Sequence, residues 1–416
     1  MMLLKFNCNV KVVDMIMGAG KTSAAINYIN QAKPDEKFLF ITPYIKEIER
    51  ITKSCPTKNF KEPLKMGSKL NGIKYLLSKG ENIISTHALF RRFDSEAIDL
   101  CRNQNYTLIM DEVTDVIEKY EISKEDFKIL QDNFVDYDES SGLLKWRNPD
   151  DNYEGKFSEE KRLCELGCLA YYSDSVMMWL LPIESFNAFK DVYILTYMFN
   201  SQIQRYYYDY YNLPYTFLYV GGTSQANYHF TTNCKKKEQV DYDFKSLIHI
   251  LEDEKMNLIG DMEFDLSKNW YIRNQNNIVI KKLKNNIENF FRNKRKTKTE
   301  FNMWTTFSDF KKKLSSKGYG RGFVALNMRA SNNYKHKTSI AYPVNRYMNT
   351  GIKNFFVSHN VDVDEDGFAV SEMLQFIWRS AIREGNEIWI YIPSSRMRGL
   401  LSKWIEENTV SFKKQT

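Results

Sequence analysis

The sequence predicts an α/β protein of two domains built on parallel sheets, with a largely helical insertion in the first. Three observations carry that prediction. Short apolar runs alternate with amphipathic stretches through the first part of the chain, a glycine-rich turn follows the first run, and the alternation returns near the carboxyl end. Strands alternating with helical patterns pair in parallel through crossover helices. At 416 residues the chain exceeds the size at which a single core stops growing, so two domains are expected.

Taken in order, VKVVDMI reads as the first strand, GAGKT as the turn that ends it, and KTSAAINYI as a helix. FLFIT, NIIST and YTLIMDE read as further strands, with the amphipathic YIKEIERIT after the first of them. The polar residues of interest fall at the carboxyl ends of these runs, where open α/β sheets bind ligands. From about Lys119 to Asp191 the pattern turns polar and aromatic, with turns at DESSG and NPDDNYEGKF, and we read it as a helical insertion ahead of the strand VYILTY. The first domain is thus expected to span residues 1–199 and the second 200–416. The second opens on QRYYYDYYNLPY, carries the basic run NKRKTKTE, and continues through FNMWTTF, GFVALNM, the helix-like SEMLQFIWRSAIR and EIWIYIP.

A hydrophobic fraction of 43% against 27% charged residues places the chain among globular proteins rather than disordered ones. The net charge of +7 is compatible with a polyanionic partner without demonstrating one. No apolar run approaches the ~18 residues of a membrane span, and MMLLKFNCNVKVVD lacks the long apolar stretch of a signal peptide. A cytoplasmic protein without a membrane partner is expected. Cys8, Cys55, Cys101, Cys164, Cys168 and Cys234 show no paired zinc-type spacing, so free, mostly buried thiols are expected rather than a metal site.

Residues 11 to 30 supply a strand, a glycine loop and a helix in the order a phosphate cradle requires. Gly18, Ala19 and Gly20 let backbone N–H groups point inward, the helix N-terminus favours negative charge, Lys21 reaches the β/γ-phosphates, and the Thr22 hydroxyl can ligate Mg²⁺. Met15 stands where the usual pattern begins with glycine. A nucleotide site also needs a carboxylate for the metal and a group to orient or deprotonate water. YTLIMDEVTD supplies Asp111 for the Mg²⁺ shell and Glu112 for the water.

These residues resemble those of superfamily-2 helicases, specifically the small DEAD/DEAH-like DNA helicases of bacteriophages, and the resemblance runs in order along most of the chain. Met15 to Thr22 resembles motif I, Ala-x-x-Gly-x-Gly-Lys-Thr, which does without the first glycine; Asp111-Glu112-Val113-Thr114 resembles the DExx form of motif II. Thr42, Pro43 and Tyr44 look like motif Ia, and Ser85, Thr86 and His87 like a following DNA-contact motif. In the family such loops touch the sugar-phosphate backbone, although Thr42 and Thr86 also suit plain helix capping. Thr196 matches the hydroxyl of motif III, Thr305 and Thr306 resemble motif IV, and Asn327, Arg329, Ala330 and Ser331 resemble motif V.

Gln375, Arg379 and Arg383 resemble motif VI, the Gln-x-x-Gly-Arg-x-Gly-Arg box, with Trp378 in place of a glycine and the last arginine one residue late. On a continuous helix their spacing of four sets all three along one face, with a cationic side turned toward a triphosphate. Which arginine stabilises the transferred phosphoryl group stays open. Tyr206, Tyr207, Tyr208, Tyr210 and Tyr211 suit base stacking or buried packing, and Lys294, Arg295 and Lys296 suit phosphate contact or a solvated run.

The resemblance implies two RecA-like P-loop domains that close on ATP and Mg²⁺, the second supplying the arginines. It implies an ATP-dependent DNA helicase or translocase of phage genome replication, with single-stranded or forked DNA as partner, RNA as an open alternative, and replisome proteins as candidate partners. Two other readings stand beside it. One is a DNA-packaging motor, for which Asp362, Asp364 and Asp366 in VDVDEDGF are the acidic cluster to weigh against a simple turn and helix start. The other is a nucleotide-switched, non-catalytic module on a replisome partner, against which the intact Lys21, Asp111, Glu112 and both arginines argue.

Overall fold

The computed structural model describes residues 6–43, 45–139, 141–173, 176–233, 243–326, 328 and 332–409. The chain divides into two units, the first made of residues 1–237 and 349–363, the second of 238–348 and 364–416.

In the first unit the apolar runs become strands β1 (Asn9–Asp14), β2 (Phe38–Thr42), β3 (Ile83–Thr86) and β4 (Thr107–Asp111). An inserted set follows: β5 (Ile117–Tyr120), β6 (Val135–Tyr137), β7 (Leu144–Trp146), β8 (Leu169–Ser173) and β9 (Val176–Leu180). The main sheet resumes with β10 (Asp191–Thr196), β11 (Tyr215–Gly221) and β12 (His229–Thr231). Its order is β12-β11-β1-β10-β4-β2-β3, and every pairing is parallel except β11 with β12. Parallel strands covered on both faces read as near-continuous apolar runs. Phe38, Leu39, Phe40, Leu108, Ile109 and Ile194 accordingly are fully buried. Helix Lys21–Gln31 lays Ala24, Ala25 and Ile29 on this sheet, where small side chains permit close approach.

The inserted stretch is not largely helical. Helices Lys124–Asn133 and Ser158–Glu165 share it with the antiparallel sheet β5-β9-β8 and the hairpin β6-β7. Two of the strands, β6 and β7, escape a periodicity reading because they are three residues each, shorter than an alternation can register. Phe127, Leu130, Trp146, Phe157, Leu163 and Met177 give this stretch a core of its own.

The boundary expected at 199/200 also moves. Strand β11 lies beside β1 and extends the first sheet, and helix Ile203–Tyr211 buries Tyr206, Tyr207 and Tyr208 in the same unit. Packing is therefore the use of those three rings. Helix Thr350–Ser358, far along the chain, returns to it, setting Phe356 5.8 Å from Tyr206 and Phe355 5.1 Å from Tyr210, centroid to centroid.

The second unit holds β13 (Ile248–Ile250), β14 (Asn302–Trp304), β15 (Ser339–Ala341) and β16 (Ile388–Tyr391), all parallel in the order β13-β16-β15-β14. Trp270, Tyr271, Leu283, Phe290, Trp304, Tyr319 and Tyr391 form its core. Among the described residues, the segment expected as a strand at GFVALNM makes one bridge, Trp304 to Phe323. Helix Glu365–Ile377 begins where Asp364 accepts from Gly367 N at 2.8 Å, so this aspartate of VDVDEDGF is a helix cap. No helix among the described residues is long and apolar enough to cross a membrane.

Candidate nucleotide site

Because the strands of the first sheet run parallel, their carboxyl ends share one edge. Register sets Asp14 beside Thr196 and Leu195 beside Asp111, while Thr42 pairs with Thr86. Residues far apart in sequence thereby meet in one row.

At the end of β1 the chain turns through Gly18 and Gly20, both in the left-handed region at φ +90° and +84°, a conformation that costs glycine little. Gly20 caps helix Lys21–Gln31, whose first turn carries neither an acidic residue nor a side-chain cap. Its leading N–H groups are thus oriented as an anion cradle. Lys21 is buried and donates from Nζ to the carbonyls of Met15 at 2.6 Å and Ile16 at 3.1 Å. Thr22 Oγ1 donates to Asp111 Oδ1 at 3.3 Å.

Asp111 ends β4. Burial, then the neighbouring charges of Glu112 and Glu47, push its carboxyl up to about 7 against the pull of Lys21 and Arg50. Glu112 holds φ +68°, unusual for a residue with a side chain, and its N–H donates to Leu195 O at 3.0 Å. Such strain persists where surroundings over-determine it. The single hydroxyl proton of Thr196 goes to Gln202 Oε1 at 3.0 Å, leaving Glu112 Oε2 at 3.5 Å. His87 Nε2 donates to the Asp111 carbonyl at 3.0 Å, which links the loop after β3 to the carboxylate pair.

A hydroxyl and a carboxylate converging within one hydrogen bond suit a hard cation that keeps several waters and takes its other ligands from phosphates. Thr22 and Asp111 therefore fit Mg²⁺, and Lys21 with the helix start fits a triphosphate.

The other expected contacts divide. Thr42, Ser85 and His87 are buried at the sheet edge, Pro43 is part-buried, and Thr86 caps the helix His87–Phe90 by accepting from Leu89 N at 3.4 Å. Thr305 and Thr306, following β14, are fully buried, so neither hydroxyl offers a surface to a strand. Lys294 pairs with Asp253 at 2.8 Å and Arg295 lies 4.2 Å over the Trp389 ring. Cys8, Cys55, Cys101, Cys164 and Cys168 are buried thiols. Tyr44, Cys234, Asn327, Arg329, Ala330 and Ser331 lie outside the described residues.

Gln375, Arg379 and Arg383 do not share a helix face. The helix stops at Ile377, Trp378 is buried against Trp404 at 5.5 Å, and Ser380 is extended at ψ −167° before a short 3-10 turn, Ala381–Glu384. Gln375 is part-exposed on the helix, whereas Arg379 is 2% exposed and donates to the carbonyls of Ala325 at 3.2 Å and Leu326 at 3.4 Å. Its guanidinium anchors the start of the motif V stretch. Arg383, on the turn, is part-exposed.

Sequence reading missed Asp14, Gln202 and Gln204. Asp14 Oδ1 accepts from Met198 N at 2.8 Å, and Gln204 Oε1 accepts from Thr114 N at 2.9 Å, so the segment after β10 braces both the phosphate loop and the DExx turn. The signal was an acid closing an apolar strand and two amides two residues apart in NSQIQ, polar groups in a stretch otherwise built to be buried.

Two family models match the chain, the YonV middle domain over residues 117–179 and the YonV C-terminal Rossmann-like domain over 242–405. The SPbeta prophage-derived uncharacterized protein YonV of Bacillus subtilis (strain 168) is 41% identical over 411 residues, covering 95% of this chain and 98% of the relative. The chain belongs to the YonV family. The middle-domain match coincides with the β5–β9 stretch, and the C-terminal match spans most of the second unit. Among solved structures, this YonV family member is similar to XPD_APO, with a TM-score of 0.49 and 12% identity over 97% of this chain and 95% of that one. It is also similar to S. tokodaii Xpd4, with a TM-score of 0.44 and 11% identity over 95% and 94%. A DEAD box protein from the hyperthermophile Methanococcus jannaschii follows, with a TM-score of 0.27 and 10% identity over 97% and 86%.

Proposed function

We propose that this YonV family protein is an ATP hydrolase that couples nucleotide turnover to movement along a nucleic-acid strand, a DNA helicase or translocase of phage genome replication. The observation that carries the reading is the row at the carboxyl edge of the first sheet: Lys21, Thr22, Asp111, Glu112 and Thr196 converge from β1, β4 and β10. Lys21 and the backbone amides would hold the phosphates, and Thr22 with Asp111 would hold Mg²⁺. The ion, when bound, neutralises charge on the phosphates. Glu112 is the base or water-orienting group, held near the terminal phosphate by its unusual backbone and its bond to β10. His87 is the route by which the loop after β3, a candidate strand-contact loop, senses the carboxylate pair.

Of the two arginines we assign Arg383 to the triphosphate, because Arg379 already commits its guanidinium to two carbonyls. That commitment also supports keeping the nucleotide-switched module as a second reading, since one expected catalytic arginine is structural. The packaging-motor reading is weakened, as Asp364 caps a helix and Asp366 pairs with Arg396 at 2.6 Å.

The test is ATP hydrolysis by the full chain with single-stranded, forked and duplex DNA and with RNA, followed by unwinding of the form that stimulates most. Stimulation by nucleic acid, lost in Lys21→Ala, is the expected result. Equal and negligible turnover by both proteins on every nucleic acid would leave the module reading in its place.

A further inference from the structure

The hairpin β11-β12 lies on the side of β1 opposite β10 and β4. The phosphate loop therefore has two flanks, with Asp111, Glu112 and Thr196 on one and the turn from Gly222 to Tyr228 on the other. That turn is closed by its own hydrogen bonds. Asn227 Oδ1 accepts from Thr223 N at 2.9 Å and Ser224 N at 2.8 Å, and Tyr228 N donates to Ser224 O at 3.1 Å. It is also tied to the helix that carries Lys21 and Thr22, because Asn27 Nδ2 donates to Tyr228 O at 2.9 Å and Gln225 O at 3.1 Å.

The consequence appears at Gly20. A side-chain carbon added there would stand 2.5 Å from Cε2 of Tyr228 and 2.6 Å from Cδ2, so the ring rests directly on the last glycine of the phosphate loop. The ring is only part-buried, leaving surface for a further contact.

On the hydrolase reading, Glu112 would set the direction of a bound triphosphate. Its terminal phosphate must face β4 and β10, so the nucleoside end leaves on the opposite flank, where Tyr228 lies. Resting on the hydrolase reading above, we propose that the Tyr228 ring is the surface on which the base of the bound nucleoside triphosphate stacks. Every base offers a π-face, so stacking tolerates base identity while favouring the larger one. The site should take purine triphosphates ahead of pyrimidine ones and discriminate weakly between ATP and GTP.

The experiment measures KM and kcat of the full chain for ATP, GTP and CTP, with inorganic tripolyphosphate as a competitor lacking a nucleoside. Tyr228→Leu should raise KM for ATP about tenfold, the scale of one lost stacking contact, while the inhibition constant of tripolyphosphate stays put. The advantage of ATP over CTP should shrink with it, and Tyr228→Phe should restore both. An unchanged KM in Tyr228→Leu overturns the proposal. So does an equal loss for ATP and tripolyphosphate, which would mean that the ring only buttresses the loop. If Leu prevents folding, Tyr228→Met keeps the bulk without an aromatic face, and a KM equal to wild type overturns the proposal in the same way. Should wild type hydrolyse no triphosphate, the hydrolase reading and the stacking both fall; Lys21-dependent turnover with Tyr228→Leu unaltered removes the stacking alone.

Discussion

The ammonium of Lys21 lies 2.6 Å from the carbonyl oxygen of Met15. The residue that replaces the usual first glycine thus serves the phosphate loop through its backbone. Its side chain, 3% exposed, packs in the core with Val13, Ala24 and Ile26. Truncation there opens a cavity, so Met15→Ala should cost roughly 2–5 kcal/mol in urea unfolding. A loss of ATP turnover at full stability would contradict this assignment.

Glu112 combines an unusual backbone, at φ +68°, with the carboxylate proposed above as the base or water-orienting group. Glu112→Gln should retain nucleotide binding and slow hydrolysis by roughly 10²–10⁴-fold, the span of a lost general base. Glu112→Gly should be equally inactive yet more stable by roughly 1 kcal/mol, since glycine accepts φ +68° freely. Calorimetry beside single-turnover kinetics separates the two effects.

The two arginines should fail differently. Arg379→Ala removes a buried guanidinium from two carbonyls and should lower stability by roughly 2–4 kcal/mol. Arg383→Ala should leave stability within about 0.5 kcal/mol and cut hydrolysis by roughly 10³-fold or more. The reverse pattern would make Arg379 the catalytic one.

The raised pKa of Asp111 makes stability depend on pH. The folded protein keeps a proton that the unfolded chain has released, so this carboxyl's stabilising contribution is complete below about pH 4 and disappears as pH rises to about 7. The stability of the nucleotide-free wild type relative to Asp111→Asn should therefore fall across that window and stay flat above it. Urea unfolding of both proteins from pH 4 to 8 measures the difference; a rise with pH would reverse the assigned sign.

Thr305 is fully buried, and its hydroxyl has no hydrogen-bond partner among the described residues. Thr305→Val should keep nucleic-acid affinity unchanged and stability equal or slightly higher, because the burial cost of the hydroxyl disappears. Weaker binding to single-stranded DNA would return this residue to the interface.

The geometry of the glycine turn and of the acids after β4 was legible because its parts are local. A strand, two glycines, a lysine and a threonine fix their geometry within a dozen residues, and the DExx pair closes an apolar strand in the same fashion. The strand-contact motifs were less legible. A threonine at a strand end looks alike whether it caps a helix, as Thr86 does, or lies inside a core, as Thr305 does. Motif VI misled for a related reason: a spacing of four implies a shared face only while the helix continues, and Trp378 packing on Trp404 ends it.

By itself the sequence determined the α/β alternation, the glycine turn between β1 and its helix, and the acids that close an apolar strand, since each rests on short-range periodicity and backbone preference. Only the tertiary structure decided that β11 and helix Thr350–Ser358 belong to the first unit and that the inserted stretch is sheet as much as helix. It also decided that Arg379 faces carbonyls and that Tyr228 covers Gly20. Those outcomes depend on which distant segments meet, and a side chain's partners are set by the packing around it rather than by its neighbours in sequence.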